Sequence, residues 1–407
     1  MPATIAIGKG WGRRFEDLLR RAVGTGARRI SDGLAAAMAY DCSAVEYLRY
    51  KEAAKDSCRM IGSLESRSSH PVVRWYVPAM DNAYGGGIYT VYRFARTFET
   101  LGASCRLCVV GEPGVTRRAV AEAFPEWRVE VESASGGVDG SCDLAIATSW
   151  QTVYHMLSRE AGRSVMVYFI QDAEDEFYPR GTRAVLAEAT YRVGLPVVCG
   201  GEWLQQRYMA KYGSPAFAYR FAIDSSLFHA PPSDAPRFRE GHPRVFFYGR
   251  PQTERRCFDL GVAALNLAVR EIRDVEIVTA GADLRQRDFP VKVTSLGNLT
   301  LPQTAALYRT CDVGLVLSAT NLSYLPLELT ASGCAVVSNG GGNVEWFFPS
   351  GRGLVLAEPF ASTIAEAIIN AVTDTDLRRS TVEAGMQQIS ASTWEQEIRK
   401  VYRHVMG

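Results

Sequence analysis

Short, unbroken apolar runs alternate with longer segments whose apolar residues recur at helical spacing, and this alternation restricts the possible folds more than any other feature of the chain. A run that is apolar throughout has to be covered on both faces. With a helix between successive runs, that requires parallel strands sandwiched by helices. The first series comprises Val72–Val77, Cys105–Val110, Asp143–Thr148, Val165–Ile170 and Pro196–Cys199, with helices predicted at Ile88–Leu101, Trp150–Ser158, Thr182–Tyr191 and Trp203–Lys211. The second comprises Arg244–Tyr248, Val275–Ala280, Val313–Ser318 and Cys334–Ser338, with helices at Arg256–Val269, Leu301–Thr310, Leu325–Ser332, Thr363–Val372, Asp376–Met386 and Trp394–Val405. The proline-rich stretch Phe228–Pro243 separates the two series. A chain of 407 residues is too long for one ordinary core. The expectation is an α/β protein with two Rossmann-like α/β/α domains, 69–230 and 240–390, and a cleft between them.

Residues 1–68 read as a helical N-terminal extension, with helices at Phe15–Val23, Ser31–Met38 and Ser43–Ile61 and N-caps at Ser31 and Ser43. Between Lys9 and Arg29 stand seven basic and two acidic residues. Such a helix either contacts an anionic membrane surface through residues 1–30 or presents a solvated face beside a packed one. Net charge is +1, which argues against nucleic acid as a partner. The nine cysteines are scattered through apolar runs, as reduced core residues of a cytoplasmic protein would be. Cys105 and Cys108 point to opposite faces of a strand, so neither a metal nor a redox centre is expected. No apolar run reaches the length of a membrane span, and the chain starts unlike a signal peptide.

Chemistry is concentrated at the carboxyl ends of the predicted strands, where open α/β sheets bind ligands. Gly85, Gly86 and Gly87 open the helix after the first strand and leave backbone N–H groups accessible to a hydroxyl or phosphate; a tight turn is the competing reading. They do not form a GxGxxG fingerprint, which argues against a nicotinamide enzyme. Gln171 and Asp172 follow Val165–Ile170, and Asp172 is expected to face the cleft, with Glu174, Asp175 and Glu176 left at the surface. Arg250, Arg255 and Arg256 lie after the first strand of the second domain and suit a leaving diphosphate, unless they merely cap a helix and pair with Asp259. Glu328 and the glycine turn Gly340–Gly342, opening towards Glu345, offer a carboxylate for ribose hydroxyls and backbone donors for phosphate.

As a set, YGR (248–250), RR (255–256), LPLELTASGCAVVSN (325–339), GGNVE (341–345), GRGLVL (351–356) and STW (392–394) resemble the retaining GT-B glycosyltransferases. The helical extension, the glycine loop, YFIQD (168–172) and RPQTERR (250–256) are similar to bacterial rhamnosyltransferases of the WsaF type. The resemblance implies that Arg250 with Arg255 or Arg256 holds the diphosphate of a donor and that Glu328 holds its ribose. It also implies help from the backbone at Ser323–Tyr324 and Gly341–Gly342, and a closing helix, 391–407, that crosses back to the first domain. The implied function is a hexosyltransferase that moves L-rhamnose from dTDP-rhamnose to a growing surface polysaccharide such as O-antigen, on an acceptor that is a glycan or lipid-linked glycan. Retention and independence of any metal or cofactor are implied as well. Two departures stand out. Thr320 replaces the acidic residue that usually precedes Glu328 by eight positions, and Gln171 stands where that group has a histidine. Asp172 is therefore the candidate polar group near the anomeric centre, with Arg250 as the second catalytic candidate. A nucleotide-sugar 2-epimerase and a catalytically idle scaffold subunit are the alternative functions.

Overall fold

The computed structural model describes residues 44–64, 68–135, 140–232, 242–282, 284 and 289–407. The predicted helices Phe15–Val23 and Ser31–Met38, both serine caps and the basic segment Lys9–Arg29 lie outside the described residues. The first described helix, α1 (Ala44–Met60), packs against the first sheet, where the Ser57 hydroxyl accepts from the Met166 amide at 3.0 Å.

The first domain runs β1 (Val72–Pro78), α2 (Gly86–Thr100), β2 (Ser104–Val110), α3 (Pro113–Ala123), β3 (Glu130–Ser133), β4 (Leu144–Ala147), α4 (Trp150–Glu160), β5 (Val165–Ile170), α5 (Thr182–Arg192), β6 (Val197–Gly200), α6 (Glu202–Tyr212) and β7 (Ala216–Tyr219). Its strands are all parallel, in the order β3-β2-β1-β4-β5-β6-β7. The second domain runs β8 (Arg244–Tyr248), α7 (Phe258–Ala268), β9 (Glu276–Ala280), β10 (Val293–Ser295), α8 (Leu301–Tyr308), β11 (Val313–Leu315), α9 (Leu325–Ala331), β12 (Ala335–Asn339), α10 (Gly342–Glu345), β13 (Val355–Ala357), α11 (Ala361–Thr373), α12 (Thr375–Ile389) and α13 (Trp394–Met406). Its sheet is also parallel, ordered β10-β9-β8-β11-β12-β13. In both domains the order turns at the first strand, which opens a crevice at the carboxyl edge.

The continuous apolar runs became the central strands because they are covered on both faces: β5 is buried at every position, as are β4 and β6. Strands β3, β7, β10 and β13 were not foreseen. They are short and mostly half-exposed, so no unbroken apolar run marks them. Arg74 is the one charge inside β1, and it is tolerated because it pairs with Glu160 at 2.6 Å and Glu132 at 2.9 Å.

Helix α13 lies against the first domain, with its buried face of Ile398, Val401, Tyr402, Val405 and Met406 turned inward. Tyr402 meets Phe98 of α2 edge-on at 5.1 Å, and Glu397 accepts from the Arg220 amide at 2.8 Å. The carboxyl edges of the two sheets also touch directly. Gly201, after β6, has φ +103°, and a Cβ there would lie 2.5 Å from the Trp346 ring, so glycine is required by conformation and by space.

Candidate active site between the two domains

Strand β5 ends at Ile170, which delivers Gln171 and Asp172 to the crevice. Asp172 is buried and both of its oxygens are engaged. Oδ2 accepts from Arg255 Nε at 3.1 Å and lies 3.5 Å from the Arg256 guanidinium. Oδ1 accepts from the Asn321 amide at 2.8 Å and the Ala173 amide at 2.9 Å. A carboxylate from one domain thus pairs with both arginines of the other and balances one of their two charges. The arginines point this way because the predicted helix Arg256–Val269 begins only at Phe258. A 3-10 turn, Glu254–Arg256, and Cys257 in the left-handed region (φ 50°) precede it and swing both guanidiniums towards the first domain.

The three arginines are not equivalent. Arg256 donates to Ser318 Oγ at 2.6 Å and the Asn321 carbonyl at 3.1 Å, and its burial pulls its pKa below the ordinary value. Arg255 stacks over Phe177, 3.9 Å from the ring centre. Arg250 donates to the Tyr248 hydroxyl at 3.0 Å and has no carboxylate partner among the described residues.

Asn321, next to Thr320, was not among the residues singled out in the sequence, yet it joins the domains. Its Nδ2 donates to the carbonyls of Gln171 (2.9 Å) and Gly200 (2.7 Å), and its Oδ1 accepts from Trp346 Nε1 at 3.0 Å. An amide side chain six residues beyond β11, in the loop that leads to α9, was the available signal.

Around this junction the structure gathers the other expected residues. Gln171 Nε2 donates to the Gly87 carbonyl at 2.8 Å, which fixes the loop Gly85–Gly87 that opens α2. A Cβ on Gly86 would stand 3.7 Å from the Tyr324 ring. Tyr324 packs on Phe221 at 4.3 Å and Trp394 at 5.4 Å, and its hydroxyl is 3.4 Å from that of Tyr219. Gln171 Oε1, Thr320 Oγ1 and Ser323 Oγ are buried without a hydrogen-bond partner.

Glu328 lines a pocket open to solvent, whose walls include Gly86, Arg93, Tyr324 and Trp394. No donor among the described residues is hydrogen-bonded to its carboxylate. Burial raises its pKa to about 7, opposed by the charge of Arg93. Glu345 is placed differently: its Oε1 accepts from the Gly341 amide at 2.9 Å, so it caps its own loop. Gly342 approaches Trp203, whose ring a Cβ would meet at 3.3 Å.

The acidic cluster expected at the surface is mostly buried. Glu174 and Asp175 are 5% and 8% exposed, because a 3-10 turn tucks them under the start of α4. Glu174 accepts from the Trp150 amide at 2.7 Å and the Tyr168 hydroxyl at 3.0 Å, and burial pushes its carboxyl up to about 8. Asp175 pairs with Arg207 and Lys211; Glu176 stays exposed. Among the described residues, no group of three or more His, Cys, Asp or Glu is placed to hold a metal ion, and no helix is long and apolar enough to cross a membrane.

Two parallel-sheet domains facing each other across their carboxyl edges, with the last helix returning to the first, constitute the GT-B fold, the architecture of a large class of glycosyltransferases. A model described as the WsaF N-terminal domain matches residues 140–199 and one described as the WsaF C-terminal domain matches residues 243–369. An O-antigen biosynthesis protein, RfbC of Myxococcus xanthus, is 34% identical over 360 residues, covering 85% of this chain. The chain spans 28% of the length of that relative. Among solved structures, HepE from Anabaena in complex with UDP-glucose is 16% identical with a TM-score of 0.64, covering 82% of this chain and 98% of its own. WaaG, a glycosyltransferase involved in lipopolysaccharide biosynthesis, is 15% identical with a TM-score of 0.60, covering 82% and 100%. At that identity these two speak to the fold.

Proposed function

We propose that this protein is a hexosyltransferase of surface-polysaccharide assembly, taking a nucleotide-diphosphate sugar as donor and a glycan as acceptor. The observation that carries the proposal is the convergence on one crevice of Arg250 and Arg255 after β8, Glu328 on α9, and the glycine loop held by Gln171. In this reading the second domain binds the donor. Glu328 takes the ribose, and Arg250 and Arg255 take the diphosphate as it departs, so no metal is needed to neutralise the leaving group. Closure of the domains keeps water from the reacting carbon. L-rhamnose from dTDP-rhamnose is the proposed donor. Support comes from the WsaF likeness and from Thr320, a neutral buried residue at a position where an acidic one would select an additional sugar hydroxyl. Retention by front-face attack is part of the proposal and asks for no protein nucleophile. The proposed setting is the cytoplasm, with the acceptor lipid-linked and the basic N-terminal segment at the membrane surface.

A thermal-shift screen against a panel of nucleotide sugars tests donor binding, because a ligand specific for the folded state raises the melting temperature with the logarithm of its excess over Kd. A dTDP or UDP sugar should shift the transition, and no shift with any member would count against the proposal.

The pH dependence follows from Glu328. With the carboxyl raised to about 7 from an ordinary 4.5, the folded chain holds a proton that the unfolded chain has lost across that interval. This group's contribution to stability is therefore full below pH 4.5 and is lost as pH rises through about 7. Donor binding slopes the other way, since accepting a hydrogen bond from a pentose hydroxyl is favoured by the ionised form. Nucleotide affinity should fall by up to about tenfold per pH unit below neutrality and level off above it. Glu328→Gln should flatten the profile, and a wild-type Kd independent of pH would exclude the role.

A further inference from the structure

Arg93 lies on α2, on the helix face opposite the packed one, and nothing in the sequence reading gave it a task. Its guanidinium is held between two rings, 5.0 Å over Trp394 of the returning helix and 5.2 Å over Tyr89. Its nearest carboxylate, Asp224, is 3.7 Å away, beyond hydrogen-bond distance, with Asp224 itself 38% exposed. Among the described residues Arg93 makes no hydrogen bond, so the N–H donors of this stacked fork are engaged only by the long ion pair to Asp224.

The same pocket holds Glu328, whose carboxylate has no hydrogen-bond donor among the described residues, and Asp224 also lines it; Arg93 and Glu328 face it from opposite domains. They are near enough for the charge of Arg93 to act on Glu328, yet they form no ion pair within 4 Å. A guanidinium only donates and a carboxylate only accepts, so what fits between them must do both. A hydroxyl does: its proton goes to the carboxylate while its oxygen accepts from the arginine. A nucleotide's pentose supplies one: the 3′-hydroxyl of a deoxyribose, joined in a ribose by the 2′-hydroxyl, which would use both carboxylate oxygens and more than one guanidinium N–H.

We propose that Arg93 is a donor-binding residue contributed by the first domain, donating to the pentose hydroxyl oxygens whose protons Glu328 accepts. This rests on the reading of Glu328 as the ribose ligand and extends it, because the donor nucleotide then contacts both domains. Occupancy of the pocket draws α2, with its glycine loop, onto the second domain.

The test is calorimetric binding of UDP, dTDP and inorganic pyrophosphate to the full chain and its variants. Arg93→Gln should weaken binding of the nucleotides about tenfold, the scale of one hydrogen bond to a charged group, and leave pyrophosphate unchanged. Arg93→Lys keeps the charge but not the fork, and should lose affinity for nucleotides in the same direction by a smaller factor. It also decides the matter should the glutamine variant fail to fold. Nucleotide affinity unchanged in the Arg93 variants, with Glu328→Gln weakened, would overturn the role of Arg93 and spare the donor pocket. Equal losses for nucleotides and pyrophosphate would overturn it as well, by pointing to a general loss of charge or structure. Nucleotide binding indifferent to both Arg93 and Glu328 would overturn this inference and the donor pocket with it.

Discussion

Arg250→Ala should lower turnover about a hundredfold or more, the scale for removing one preorganised stabiliser of developing charge, while leaving stability within about 0.5 kcal/mol. The separation of the two effects is what makes Arg250 informative. Its guanidinium touches only the hydroxyl and ring of Tyr248 among the described residues, so little of the fold depends on it. Arg256 is the contrast, since it is buried and bonded to Ser318, the Asn321 carbonyl and Asp172. Loss of activity at Arg256 would report on the scaffold as much as on the chemistry. Steady-state rates and thermal melts on the same Arg250→Ala preparation check the prediction; unchanged turnover in a folded variant would remove Arg250 from the diphosphate site.

Asp172→Ala should cost about 3 kcal/mol or more, because it strands a buried guanidinium rather than merely removing a contact. Asp172 and Arg256 have side chains 10% and 12% exposed, so solvent screens them little, whereas Arg255 at 25% adds less. The partners belong to different domains, so the loss should surface as a looser junction. A two-domain chain need not unfold in one step. Urea unfolding should show an earlier first transition, and small-angle scattering a larger radius of gyration in the absence of ligand. A first transition and a radius equal to those of the wild type would show that Asp172 does not clamp the domains. This role also explains why the residue fits poorly as a group acting on substrate in this state: both of its oxygens are held by protein donors.

Much of this architecture was legible because continuous apolar runs have only one economical solution, the buried parallel strand. The runs Val165–Ile170 and Arg244–Tyr248 match β5 and β8 at both ends. The edge strands escaped because Glu130–Ser133 and Val293–Ser295 bury too little to leave an apolar signature. The site was readable as a list of residues but not as a set of relationships. Spacing identified Asp172, Arg255 and Arg256, yet only the folded chain reveals that they pair with one another across the domains. Burial of Glu174 and Asp175 was invisible for a similar reason: EDE reads as a solvated triplet until the Trp150 amide and the Tyr168 hydroxyl are brought to it by distant parts of the sheet. Arg93 carried no signal in the sequence because the rings that hold it include Trp394, about three hundred residues away.

The central claim is transfer of a sugar from a nucleotide donor bound by the second domain, and release of nucleoside diphosphate in the presence of a glycan acceptor tests it most directly. The donor panel should include dTDP-rhamnose and UDP-glucose. Release should depend on acceptor, proceed after removal of divalent cations, and fall about a hundredfold or more in Arg250→Ala. Interconversion of the donor without acceptor, or donor binding with no release of diphosphate under any combination, would contradict the claim.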